Sequence, residues 1–533
     1  MKTKKILIFL FTLAFLSACM DITDQPLVYP APPIPIPVET LFDDHVPEPE
    51  ISIPHQGGEL RLSMRSPITL NPLLNEDATV AQVLQLMFEP LISLDEYLRP
   101  IPHLASLEFA FNGTSVVVTI RDNARWSDGT PVTSEDLAFS IQTLQNAPPE
   151  AIYSRNVENF AYFEVLNDRS VRIHFATIRG GAAYLFNFPI IPRHLNDDMA
   201  PVGNGPFMFL DHLPMESMTL VRNPYTFRPR SYIHEVHVLI TSDSVTDLHA
   251  FDRGLVDIFL AQVPEWARHH SVKPVQFAEH LAMHYEFIGF NFDRPLPQLH
   301  QFRQAVAHCI DVEGLIADVF LTHAMVASSP IHPASWLHEP NTPIRSYNFE
   351  LAETLASQTK LVADRENLWP TGEEGERLPL AVLVNEENVE RVRIARTLVS
   401  QMNAIGLFAE LVSLPFEDFN WHLQNGYFDL FVGGYNLCFQ PDLRFAFHSE
   451  SSENLLSLSD PEMDRLLETA AVAATDSGFY RAISDIQLHI AQQLPVVSLA
   501  FRHSAIVADR RLQGDLRPAP SNIFANVHEW FLN

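Results

Sequence analysis

Lysine is nearly missing from this chain. Beyond residue 5 only Lys273 and Lys360 occur in a sequence of 533 residues, so almost every positive charge is an arginine. The formal net charge is −30 at pH 7, and it grows more negative once Lys2, Lys4 and Lys5 leave with a leader. A nucleic-acid partner needs clustered Lys and Arg against phosphate, and that class is excluded. Cysteine is equally scarce, with Cys19, Cys309 and Cys438 making up the whole set. There is no Cys-x-x-Cys, no His-Glu-x-x-His and no Walker glycine loop. No Gly-x-Ser-x-Gly nucleophile turn occurs either. The 23 histidines show no convincing ligand spacing, and His269-His270 beside Arg268 reads as a solvated loop. No enzyme, resident cofactor or metal is therefore expected. Cys309 and Cys438 can pair only if their Cα atoms come within about 7 Å, and both read instead as small buried hydrophobes. Past the N-terminal segment no apolar run reaches the roughly 20 residues that a spanning helix needs.

What is present begins with an address. Lys2, Lys4 and Lys5 flank an apolar run from Ile6 to Leu16, too short to span a bilayer and shaped like a secretory h-region. Leu16-Ser17-Ala18-Cys19 resembles the bacterial lipobox, which implies that residues 1–19 are a lipoprotein signal peptide and that Cys19 is the lipidated residue. Acyl chains contribute roughly 0.8 kcal/mol per buried methylene. The expected location is the outer face of the bacterial cytoplasmic membrane, or its periplasmic side in a diderm cell. Residues 20–54 carry Pro26, Pro30, Pro32, Pro33, Pro35, Pro37, Pro47, Pro49 and Pro54 with acidic residues between them. Proline removes amide donors and favours polyproline II, giving a semi-rigid tether of about 3.1 Å per residue.

The remainder, at about 150 residues per unit, is long enough for about three units. Glu59 to Met64 alternates apolar and polar residues after Gly57-Gly58 and reads as a strand. Val80 to Phe88 has helical spacing. Leu94-Asp95 and Pro100-Ile101-Pro102 mark loops, and Val116 to Ile120 is a β-branched strand. Asp128-Gly129 is turn chemistry. Thr133 caps the next helix with Asp136 in its first turn, as in a capping box, and Leu137, Ile141 and Leu144 line one face. Leu380 to Val384, the stripe from Val392 to Ile405 ended by Gly406, and Leu407 to Leu414 make a strand–helix–strand crossover with two parallel strands. Asp460-Pro461 opens a helix, and Phe479 to Ile490 forms another before Pro495. Alternating types point to mixed α/β lobes.

Trp126-Ser127-Asp128-Gly129-Thr130-Pro131-Val132-Thr133-Ser134-Glu135-Asp136 is the most specific stretch. Around it stand Leu70-Asn71-Pro72, Phe88-Glu89-Pro90-Leu91, Asn204-Gly205-Pro206-Phe207, Arg222-Asn223-Pro224-Tyr225, Gly254-Leu255-Val256-Asp257, Phe290-Asn291-Phe292 and Phe302-Arg303-Gln304-Ala305. In this order they resemble family 5 of the bacterial extracellular solute-binding proteins, the oligopeptide, dipeptide and nickel binders, over practically the whole mature chain. The resemblance implies a two-lobed, type II periplasmic-binding-protein-like α/β fold. Its first lobe would be residues 55–285 plus 500–533, with an inserted subdomain at 98–195, and its second lobe residues 290–495. Crossings are expected near Tyr285 to Phe292 and Val496 to Phe501. The implied partners are a peptide or peptide-like solute and the permease and ATPase subunits of an ABC importer, the chain itself a monomer.

In peptide-binding members a Gly-Trp-x-Ala-Asp-Tyr-like strand pairs its backbone with the ligand, and its Asp receives the α-ammonium. Here the corresponding stretch is Gly434, Tyr435, Asn436, Leu437, Cys438 and Phe439, which are the candidate ligand-binding residues. Cys438 stands where that Asp would be, and a neutral thiol cannot pair with an ammonium. Either the ligand lacks a free amine, or Cys438 is a small core residue and the polarity comes from elsewhere. Asp442 reads as part of the following turn. Tyr435, Phe439 and Trp421 are candidate pocket walls or core. Two other readings stay open: a carrier of metal chelates or oligosaccharides, and a surface sensor without its own transporter.

Overall fold

The computed structural model describes residues 54–194, 199–262, 274–519 and 521–533. The leader, Cys19, most of the tether and His269-His270 lie outside the described residues. Two four-stranded sheets and one seven-stranded sheet carry the architecture. In the first, Glu59–Met64 lies parallel to Glu235–Ile240, which continues antiparallel to Ser217–Arg222 and Phe207–Leu213. The burial alternates along Glu59–Met64, with Leu60, Leu62 and Met64 inside, as the period-2 pattern requires. The second sheet orders Ala105–Phe109, Ser115–Ile120, Ser170–Phe175 and Phe160–Asn167.

The signature stretch packs between these sheets and shows why its residue types are needed. Asp136 accepts the Thr133 backbone N–H at 2.8 Å, the Arg193 backbone N–H at 2.9 Å and the Trp126 indole N–H at 3.2 Å. Trp126 is fully buried, and a buried indole needs such an acceptor. Asp128 turns the chain by accepting from the Thr130 backbone N–H at 2.9 Å, and Gly129 sits at φ +88°, where a side chain is strained. The motif is therefore a structural knot at the start of helix Ser134–Gln145.

The seven-stranded sheet runs Ile258–Gln262, Val496–Asp509, Val275–Phe290, Leu430–Asn436, Leu380–Asn385 and Ala409–Leu414, with Ala324–Val326 paired to Val496–Asp509 off that path. The strand–helix–strand reading is observed: Leu380 faces Ala409 in a parallel register and helix Val389–Ala404 connects them. Gly406, at φ +82°, ends that helix, with Leu407 N–H donating to Met402 O at 2.9 Å. Asp460 caps helix Pro461–Ala471 by accepting from two of its amides.

Three expectations need correction. The stripe beginning at Val80 is helical only through Leu84, after which the chain continues as turns. Pro100-Ile101-Pro102 is not a loop but one strand of a short hairpin with Ile92–Leu94. A two-stranded edge tolerates this because the prolines flank Ile101, the residue opposite Ser93, and no inner ladder needs their missing N–H groups. The two crossing strands are longer than expected, one beginning at Val275 and the other running to Asp509. They pair antiparallel along most of their length, with a register shift between Leu281 and Tyr285.

The apolar side chains gather into three clusters. One joins residues between Leu60 and Ile258 with Ile506 to Trp530, and a second spans residues from Ala250 to Val507. The third sets Tyr184 against Tyr285, Phe431, Phe479 and their neighbours. Each fully buried large side chain contributes about 1.5–3 kcal/mol. The third cluster joins Tyr184 to residues between Tyr285 and Phe501. Along it Gly180 N–H donates to Ala471 O at 2.7 Å, Trp336 N–H to Tyr97 O at 2.8 Å and the Trp336 indole to the Tyr184 hydroxyl at 2.9 Å.

Candidate functional site

The strand Leu430–Asn436, here the cleft strand, lies antiparallel to the first crossing strand, with Gly434 opposite Glu286 and Tyr435 opposite Tyr285. Leu437 extends the ladder by donating to Met283 O at 2.9 Å. On its other edge the cleft strand meets Leu380–Asn385 only at Leu430 and Phe431. Past Phe431 that edge has no strand neighbour among the described residues. A strand edge that lacks a strand neighbour is one that can pair with an extended chain through its main chain.

Glycine at 434 has a steric cause. A Cβ there would stand 2.4 Å from Arg391 Nη2, 2.8 Å from Tyr285 O and 2.9 Å from Glu286 Oε2. Arg391 and Glu286 belong to a buried ionic cluster beneath the strand. Glu286 accepts from Arg391 Nε at 2.9 Å and from Arg502 Nη1 at 3.2 Å, and all three side chains are buried. This cluster escaped sequence reasoning, because its members come from positions far apart in the chain.

The six candidate residues divide in place. Gly434 and Tyr435 are buried. The Tyr435 ring stacks on Phe287 at 4.8 Å and meets Phe445 edge-on at 5.0 Å, so it is core. Asn436 and Cys438 are exposed, while Leu437 and Phe439 are half-buried. Cys438 thus departs from the buried hydrophobe expected of it, whereas Cys309 is buried as expected, and neither is in a disulfide. Burial pushes the Cys309 thiol up to about 12. The Cys438 thiol is raised too, first by desolvation, with Arg155 opposing and Asp442 adding a smaller push upward. Trp421 is no pocket wall for these residues in its observed position; it stands exposed and stacks on Tyr427 at 5.1 Å.

Asp442 begins the expected turn, donating its N–H to Gln440 O at 2.9 Å. Desolvation works against its charged form, but the Arg444 hydrogen bond and the nearby Arg179 outweigh that and hold its carboxyl below the ordinary range. Arg444 Nε donates to it at 2.9 Å and Arg179 lies 3.7 Å away. Its charge is already committed to two guanidiniums, so it does not replace an ammonium-binding Asp at 438. Gln440 reaches Gly180 O at 3.3 Å, and the cavity beside these residues holds only about 20 Å³.

A cavity of about 80 Å³ lies elsewhere, between Pro72, Glu89, His103, Tyr153, Arg228 and Asn522. Its polar wall is the buried Glu89 carboxylate paired with His103 and 3.6 Å from Arg228. No candidate residue lines it. Among the described residues the single group with metal-ligand spacing, Glu279 with His323 and His503, does not include Cys438.

Two long antiparallel strands running through one mixed sheet fit a two-lobed α/β binding-protein fold. Residues 99–454 match the family described as bacterial extracellular solute-binding proteins, family 5, and the chain belongs to that family, whose members bind solutes for transport and are not enzymes. It is 22% identical over 505 residues to the oligopeptide-binding protein AppA of Bacillus subtilis, covering 90% of this chain and 92% of that one. The solved structure of the ABC transporter substrate-binding protein CtaP from Listeria monocytogenes superposes with a TM-score of 0.76 at 20% identity, covering 90% of this chain and 99% of that one. NikZ from Campylobacter jejuni, solved with Ni(L-His), gives 0.67 at 21% identity, covering 90% of this chain and all of that one.

Proposed function

We propose that this chain is the substrate-binding lipoprotein of an ABC importer that captures peptides or peptide-like solutes and delivers them to a permease and its ATPase. The observation that carries the reading is the lack of a strand neighbour past Phe431 on one edge of Leu430–Asn436 among the described residues, set against the two crossing strands. In this reading the solute lies along Gly434 to Phe439 as an added strand, between a first lobe of residues 55–285 plus 500–533 and a second of residues 290–495. Residues 98–195 form the inserted subdomain. Acylated Cys19 holds the monomer at the membrane and residues 20–54 keep it clear of the surface.

Main-chain pairing tolerates varied side chains, and the lack of a carboxylate at 438 removes the usual anchor for a free amine. The expected solute is therefore held by its backbone and not by its N-terminal ammonium. A second reading, a metal-chelate carrier, draws support from the same exposed Cys438 and from the Ni(L-His) bound by NikZ.

The test is calorimetry on the purified protein with free-amine peptides, N-acetylated peptides and nickel–histidine. Blocked peptides are expected to bind at least as tightly as free ones. Cys438→Asp is expected to strengthen free-amine peptides about tenfold, as one charge-assisted hydrogen bond of about 1.5–3 kcal/mol returns. Binding of nickel–histidine alone would overturn the peptide reading in favour of the second.

A further inference from the structure

We propose that Glu279, His323 and His503 form a binding site for a divalent transition-metal ion of the zinc class, placed where the second crossing strand changes neighbours. Sheet register builds it. The last pair that strand makes with Ile258–Gln262 is Ser504 with Gln262, and the first it makes with Ala324–Val326 is Arg502 with Ala324. His503 falls between the two, and its N–H donates to His323 O at 3.0 Å. On the first crossing strand Leu281 faces His503 and Glu279 faces Ala505. Glu279 is therefore the diagonal neighbour of His503 on the same face, within reach of a long side chain. His280, one residue on, belongs to the opposite face.

The donor atoms converge as this register predicts. Glu279 Oε2 is 3.0 Å from His503 Nδ1 and 3.3 Å from His323 Nδ1, and the three ligand atoms lie within 4.8 Å of one another. Ligands on a tetrahedral zinc with bonds near 2.1 Å stand about 3.4 Å apart, so small side-chain shifts suffice to admit the ion. Two imidazoles and one carboxylate leave a fourth position open, and imidazole nitrogen favours zinc, copper or nickel over magnesium or calcium. The ion partners of Glu279 among the described residues are these two imidazoles, with no arginine competing for its oxygens. All three side chains are partly exposed, which leaves an entry path. The same atoms also make two ordinary histidine–carboxylate hydrogen bonds when no ion is bound, and the experiment separates the cases.

A bound ion ties three strands together at the register shift of the crossing. It does so whether the cleft takes peptides or chelates, so this proposal stands apart from the choice of solute. The test is calorimetric titration of untagged, metal-free protein with Zn²⁺ alone, without peptide. One equivalent is expected, with Glu279→Gln, His323→Gln and His503→Gln each weakening it by about tenfold or more and the exposed His249→Gln leaving it unchanged. X-ray absorption on the zinc-loaded wild type is expected to show two imidazole ligands with the remainder oxygen, a readout that needs no variant to fold. No binding below about 100 µM, or binding that survives all three substitutions, overturns the proposal.

Discussion

Asp257 and Glu286 are both almost fully buried carboxylates, and each is held by two arginines, yet the two clamps meet different demands. Asp257 accepts from Arg61 Nε at 3.1 Å, from the Arg61 backbone N–H at 2.9 Å and from Arg511 Nη2 at 2.8 Å. Half of the Arg511 side chain and a quarter of the Arg61 side chain remain in solvent, so their charges keep much of their hydration. The clamp staples the C-terminal return to the first strand near the surface, and its hydrogen bond raises Arg61 above the ordinary guanidinium range despite some desolvation. Around Glu286 both arginines are buried with the carboxylate. Desolvating three charges costs several kcal/mol per ion, which their mutual attraction offsets only in good geometry. An ionic group in so costly a place, under the strand proposed to carry the ligand, is less a source of stability than a device that forces Gly434 and sets the strand's height over the crossing.

The sharpest way to break this comparison is to neutralise each carboxylate in turn. Glu286→Gln leaves two buried guanidiniums short of their partner and is expected to destabilise by about 3–5 kcal/mol. Peptide affinity should fall with it, as measured by denaturant unfolding and calorimetry. Asp257→Asn is expected to cost less, about 1–3 kcal/mol, because Arg511 can turn to water, with peptide affinity retained. Equal losses in the two variants would erase the distinction.

Acid provides a finer probe of the crossing. His280 and His332 are both pushed down to about 4, first by burial and then by the nearby His503, and His332 packs edge-on against Phe501 at 5.0 Å. Their folded pKa values lie below that of an unfolded histidine, so the unfolded chain takes up these protons first. The stability they allow is complete above about pH 6.5 and declines as pH falls toward 4, by up to about 1.4 kcal/mol per unit for each group. Melting temperature followed across that window should fall more gently for His332→Gln than for the wild type. The smallest effect is expected at an exposed ion pair. Arg99 and Asp476 pair at 3.0 Å while exposed, and Arg99→Ala should change stability by less than about 1 kcal/mol.

Much of the local structure was legible in the residues themselves. The crossover from Leu380 to Leu414, the Asp460-Pro461 helix start and the Thr133–Asp136 cap rest on periodicity and capping within one or two turns, and each is present. The Pro100–Pro102 hairpin was misread because proline marks loops in general, and only its pairing with Ile92–Leu94 shows that no amide is missed. Cys438 was misread because apolar neighbours made a buried position plausible, whereas the last ladder bond is made at Leu437 and Cys438 is exposed just beyond it. Tyr435 was left between core and cleft, and the strand's pleat decides for the core.

What the sequence determined by itself was the run of element types, the family and the absence of catalytic motifs. These depend on residues close together, where spacing alone states the physics. Only the tertiary structure decided that Leu430–Asn436 lacks a strand neighbour past Phe431 on one edge among the described residues, that Arg391 and Arg502 meet Glu286 beneath Gly434, and that Glu279, His323 and His503 converge. Each of those depends on which strands lie side by side and in what register, and a shift of one residue would turn every side chain involved to the other face of the sheet.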